Sequence, residues 1–226
     1  MSMTTAHRLL LTLPLVLGLV QAQGGGPARV PPAVSAPVTA APSPAVLNPI
    51  VAGTVARRVV RVTRQAEETR FVLAGLGVPL RVQHWPAHLS AAALQGLLVE
   101  VKMEPRPDSV LTQLTFRRSG AASPVLTLLT GVAALDDLPG TPLVLRSVEA
   151  QVVTVASAQG GASGQAVRPL RPGQRAVWQT TSGPVCITLE ATVPVRADYT
   201  EAGRPPAITG YRAALTLDWS KGTACS

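Results

Sequence analysis

Val185-Cys186-Ile187-Thr188-Leu189-Glu190-Ala191-Thr192-Val193-Pro194-Val195-Arg196 and, one loop later, Ile208-Thr209-Gly210-Tyr211-Arg212-Ala213-Ala214-Leu215-Thr216-Leu217-Asp218-Trp219 decide how this chain folds. In the first stretch Val185, Ile187, Leu189, Ala191, Val193 and Val195 share one face of an extended chain; in the second Tyr211, Ala213, Leu215, Leu217 and Trp219 do so. Side chains alternate along a strand, so each stretch has one apolar face and belongs to a sheet buried on one side. If the segment from Asp198 to Pro206 reverses the chain, antiparallel pairing brings Cys186 beside the residues that follow Trp219, within reach of Cys225. A Cys186–Cys225 disulfide is therefore expected to clip the open end of this hairpin to the carboxyl tail.

Moving toward the amino terminus, the same two-residue period recurs in short Val-, Leu- and Thr-rich segments punctuated by Gly, Pro, Ser and Asp. Leu97 to Met103 places Leu97, Val99, Val101 and Met103 opposite Glu100 and Lys102. Pro105-Arg106-Pro107-Asp108-Ser109 is the turn, and Val110 to Arg117 returns with Val110, Thr112, Leu114 and Phe116 on one face. Further segments are expected near Thr54 to Thr63, Thr69 to Ala74, Leu80 to Trp85, Val125 to Val132, Leu143 to Ala156 and Gln174 to Thr181. Leu80 and Val82 alternate with Arg81 and Gln83, which puts His84 on the Leu80 side and Trp85 on the other. Ser90, then three alanines and Leu94-Gln95-Gly96, combine a cap, helix formers and a stop glycine, so one short helix is expected there. The fold class that follows is all-β: an antiparallel two-layer β-sandwich with one short helix.

The sandwich is expected to occupy residues 50–226 as one domain of about 175 residues, enough to bury roughly 70% of its unfolded surface. Residues 23–49 carry a proline every few positions and only Arg29 as charge, the composition of an extended Pro/Ala-rich flexible linker. Residues 1–22 have a basic start ending at Arg8, an apolar stretch from Leu9 to Val20 and small residues around Ala22, the pattern of a secretory signal peptide. That stretch contains Pro14 and is well short of the roughly 20 residues a membrane span needs, and no transmembrane segment is expected after cleavage. The expected location is outside the cytoplasm, whether periplasmic, cell-surface or extracellular, where cysteines are oxidised.

Hydrophobic residues make up 46% of the chain but aromatics only 3%, so the core must be built from many small aliphatic contacts. The net charge is +8, and the basic residues are arginines apart from Lys102 and Lys221. Such a balance favours anionic partners, yet the arginines are scattered along the chain, which argues against a nucleic-acid footprint. The one cluster, Arg57, Arg58, Arg61 and Arg64, is a candidate polyanion contact. On a regular strand these four divide between both faces, so an edge strand or a loop is expected to carry them.

Candidate chemistry is sparse. His84 and His88 are four residues apart, but Pro86 interrupts the helix that a shared metal would need, and neither a metal nor a cofactor is expected. Ser163 in Gly161-Ala162-Ser163-Gly164 lacks the strand–turn–helix setting of a nucleophile elbow. The pairs Glu67-Glu68 and Asp136-Asp137 are neighbours that cannot face each other across a substrate. Trp85 and Trp178 are candidates for stacking on sugar rings if exposed, whereas Trp219 belongs to the apolar face of its strand. No catalytic residue is assigned. The expected function is an exported, non-catalytic structural or interaction protein of the cell envelope, with envelope proteins or anionic glycans as partners. The alternatives are a secreted polyanion- or polysaccharide-binding module, or a secreted hydrolase using His84 or His88.

Overall fold

Fourteen strands follow one another among the described residues of the computed structural model, which are 42–47, 53–158, 167–197, 205–222 and 225. The segments expected to be a signal peptide and most of a linker, and Ser163, lie outside them. The strands are β1 (Ala45–Val46), β2 (Gly53–Arg64), β3 (Glu68–Leu73), β4 (Leu80–Gln83), β5 (Leu98–Arg106), β6 (Ser109–Arg117) and β7 (Pro124–Val132). They continue with β8 (Asp137–Leu138), β9 (Leu143–Val148), β10 (Val153–Ser157), β11 (Arg168–Leu170), β12 (Arg175–Thr180), β13 (Gly183–Arg196) and β14 (Ile208–Asp218). Two sheets result, both antiparallel, as the alternation predicts. The larger runs β1-β4-β3-β2-β5-β6-β7-β14-β13-β12 and the smaller β11-β10-β9-β8. Among the described residues no helix is long and apolar enough to cross a membrane.

Each face of the larger sheet carries its own core. Registers Val99↔Phe116, Phe116↔Leu126 and Val101↔Leu114, Leu114↔Leu128 put these six side chains on one face, where they meet Phe71, Leu80 and Val82. Strands β3 and β6 are three places apart in the sheet order, a distance of about 14 Å if the sheet were flat. The Phe71 and Phe116 rings are nevertheless 5.6 Å apart, so the sheet coils until its first strands cover its own middle. The coil begins in β2, whose register slips against β5 between Gly53 and Arg57 and against β3 between Val59 and Arg61, and such bulges bend a strand. On the opposite face Leu129, Leu215, Leu217, Ile187 and Leu189 pack with Leu143, Leu145, Val153 and Val155 of the smaller sheet.

Several expectations are corrected. Ala91–Leu94 is a single 3₁₀ turn rather than an α-helix; Ser90 makes no side-chain cap, and Gly96 ends the turn at φ +86°. A run of four residues, Ala91–Leu94, is too short to nucleate and propagate an α-helix, whatever its propensity. Ala45 and Val46, assigned to the linker, pair with Gln83 and Val82. Leu143 to Ala156 is a hairpin of β9 and β10, and Asp137 begins the short strand β8. In β13 the register slips between Leu189 and Ala191, so facing inverts there: Leu189 opposes Leu215, but Ala191 opposes Ala214. Val193 is consequently exposed, while the Thr192 hydroxyl turns inward and donates to the Ala150 carbonyl. The tail prediction holds: Cys186 lies opposite Asp218 and is bridged to Cys225, with Cα atoms 5.5 Å apart.

Candidate functional site

Strand β2 carries the basic cluster and lies between β3 and β5 in the sheet order, but β5 pairs only with Gly53 to Arg58 and β3 only with Val59 to Arg64, so each half has one open side. The bulge at Val60 resolves the facing problem. Val59 pairs with Leu73 and Val62 with Phe71, both toward the core, so Val60 and Arg61 are left together on the outside, as is Arg58 before them. Arg58 and Arg61 are exposed on this outer face, and among the described residues no carboxylate pairs with either. Beside them Arg70 pairs with Arg81 across β3 and β4 on the same face. Glu68 bonds both, with Arg81 Nη2 2.5 Å from its Oε2, and the two guanidinium groups, Arg81 foremost, hold its carboxyl down at about 2. Glu68 thus engages two of the four arginines, and Glu100 of β5, next but one to Arg58's partner Leu98, shares the outer face. The other two members of the cluster are elsewhere: Arg57 reaches the Gly75 turn, and Arg64 stands at the mouth of a cavity.

Neither Trp85 nor Trp178 offers a face to a sugar. His84 takes φ +49°, and this left-handed residue inverts the alternation, so Trp85 rather than His84 enters the core. The Trp85 indole sits 5.2 Å from the Phe71 ring and donates to the Leu89 carbonyl at 3.1 Å. Trp178 is buried in the other core with the Arg168 guanidinium 5.4 Å from its ring centroid. A stacking platform needs exposed rings, and these are 5% and 3% exposed.

Arg64, Glu67, His84 and Trp85 come together around a cavity of about 310 Å³ whose far wall is Glu190 of β13. Glu190 occupies the bulge of β13 on the face that continues the first core, where the segment after β4 covers it. Its Oε1 accepts the Thr216 hydroxyl at 2.6 Å and lies 3.5 Å from His88 Nε2. Burial pushes the Glu190 carboxyl up to about 7, although the Thr216 hydroxyl and Arg175 both pull it down. His88 is pushed below its usual value, first by burial and then by Arg175 and Lys221, with Asp218 acting the other way. Both effects favour the uncharged pair.

The sign of the linkage follows. A carboxyl raised from 4.5 to about 7 stabilises the fold below pH 4.5, and that stability is lost as pH rises to 7, by about 3 kcal/mol in all. A lowered His88 acts oppositely, with its stability present above 6.5 and lost as pH falls. Glu190→Gln is therefore expected to unfold about 3 kcal/mol less readily at pH 8 and to match the parent at pH 4. Urea unfolding across pH 4 to 8 checks this; parallel profiles for parent and variant would contradict it.

The remaining candidates separate. Asp136 is fixed by Arg106 Nη1 at 2.6 Å and by the Ala133 amide at 2.7 Å, as a turn anchor, and Asp137 is exposed. Among the described residues no group of three or more His, Cys, Asp or Glu side chains could hold a metal. Sequence reading missed Glu190 and Thr216 because it assigned the alternate residues of β13 to a solvated face; an acidic residue in an otherwise apolar strand was the available signal. Thr69, fully buried beside the cavity with an unpartnered hydroxyl, was missed too. No family model, curated protein or solved structure matches the chain.

Proposed function

We propose that this chain is an exported, non-catalytic interaction module of the cell envelope that binds an anionic glycan. The observation that carries the reading is the placement of Arg58 and Arg61 on one exposed face beside Arg70 and Arg81, with Glu68 as the acidic neighbour. Guanidinium groups on a solvated sheet match carboxylate or phosphate groups repeated along a polymer. The amino-terminal signal pattern, the Pro/Ala-rich linker and the Cys186–Cys225 bridge support export and a tethered position. Retention on immobilised polygalacturonate is the test. The protein is expected to be held at low salt and released as salt rises, and Arg58→Glu with Arg61→Glu to weaken binding about tenfold or more. A double variant retained as well as the parent would overturn the proposal.

A secreted hydrolase is favoured by one observation, the Glu190–His88 contact beside a cavity that Glu67 also lines. A carboxyl still protonated near neutral pH is suited to general acid work. Turnover of chromogenic glycosides or esters that Glu190→Gln abolishes would establish it; no turnover across the panel would end it.

A further inference from the structure

The first core is not closed at the end where β7 begins and β14 finishes. There the segment between β4 and β5 stands off the sheet and leaves a cavity of about 410 Å³, within the range of small-ligand sites. Leu89, Ala93, Leu94 and Leu97 form one wall and Val125 and Leu126 the other. Leu89, Leu94 and Leu126 are themselves buried core residues, so the floor of this open cavity is the edge of the first core. All six are aliphatic, and the one ring in the lining is the His88 imidazole, which lies 3.5 Å from Glu190 Oε1.

The polar groups gather around this lining with a definite sign. Arg118 and Lys221 contribute two cations, and Asp218 is the carboxylate that lines the space. Asp218 Oδ1 already accepts the Ser220 amide at 2.9 Å and hydroxyl at 2.6 Å. These two bonds fix the Asp218 side chain within its own turn.

We propose that this cavity binds a fatty-acid carboxylate, with the alkyl chain between the leucines and the carboxylate toward Arg118 and Lys221. An aliphatic slot selects a flexible unbranched chain, and two cations select an anionic head. The site is separate from the outer arginine face and does not depend on a glycan being the partner of that face.

Calorimetry at pH 8 with the purified protein and sodium decanoate below its micelle threshold tests it. Decanoate binds, each pair of methylenes added from hexanoate to decanoate tightens binding about tenfold, and decyltrimethylammonium binds at least tenfold more weakly. Ala93→Trp, at an exposed position on the wall, blocks binding, and Arg118→Glu, in an exposed loop, weakens decanoate while leaving decanol unaffected. Arg58→Glu with Arg61→Glu changes nothing here. Equal binding of the anionic and cationic probes, or undiminished decanoate binding by Ala93→Trp or Arg118→Glu, overturns the proposal. Lysophosphatidylglycerol binding more tightly than decanoate also overturns it, because the head group would then be a lipid phosphate.

Discussion

Replacing Cys225 by alanine lowers the free energy of unfolding by about 4 kcal/mol, because the bridge closes a loop with a sequence separation of 39 and so restricts the unfolded chain. That is a large part of the 5 to 15 kcal/mol that typically separates folded from unfolded domains. The structural consequence is local: Cys186 sits in β13 opposite Asp218, and the bridge returns the tail to that strand after Trp219 has packed on the second core. The substitution is made at Cys225 because Cys186 is buried, and truncating it would add a packing loss of its own. Urea midpoints of the parent with and without reductant provide the second arm. Reduction and the variant should give the same loss, and an unchanged midpoint in both would show that the bridge contributes nothing.

Gly131→Ala is expected to be about as damaging, for a different reason. Gly131 lies in β7 at φ +76°, a region that costs other residues about 1 to 2 kcal/mol. A Cβ there would stand 2.2 Å from the Val110 carbonyl oxygen and 3.0 Å from its carbon, both backbone atoms of β6. No rotamer relieves an overlap with backbone, so β6 and β7 must part next to the Thr112↔Thr130 pair, and the combined loss is about 4 kcal/mol. Gly120→Ala isolates the contact: Gly120 has φ +75° but nothing within 4 Å of its added Cβ, so it should lose only the backbone share. Equal losses in the two variants would rule out the overlap as the cause.

The hairpin of β5 and β6 was legible in outline. Val99, Val101, Thr112, Leu114 and Phe116 of the expected face are buried, whereas Val110 of that face is exposed and Thr115 of the other is buried; the chain reverses at Pro107-Asp108, inside the expected turn. The pairing of β13 with β14 and the bridge to Cys225 were legible from the alternation of the two stretches, though not the slip in register at Glu190. What sequence could not show were the irregular residues. His84 in a left-handed conformation sends Trp85 inward and removes a candidate sugar contact. One extra residue in β2 places Arg58 and Arg61 side by side, and one in β13 places Glu190 under the segment that carries His88. No residue type announces a bulge at Val60 or Glu190, because a bulge is set by what the neighbouring strands require.

Side-chain alternation, turn residues and the placing of two cysteines were enough, by themselves, to determine an antiparallel β protein with a bridged tail. These are local properties, each set by the preference of a few adjacent residues. The coiling of the large sheet onto its own middle, the shared outer face of the arginines and the closeness of Glu190 to His88 were decided only by the tertiary structure. They depend on strand order and on bulges that shift register by one residue, and the energy selecting them comes from packing between segments far apart in the chain.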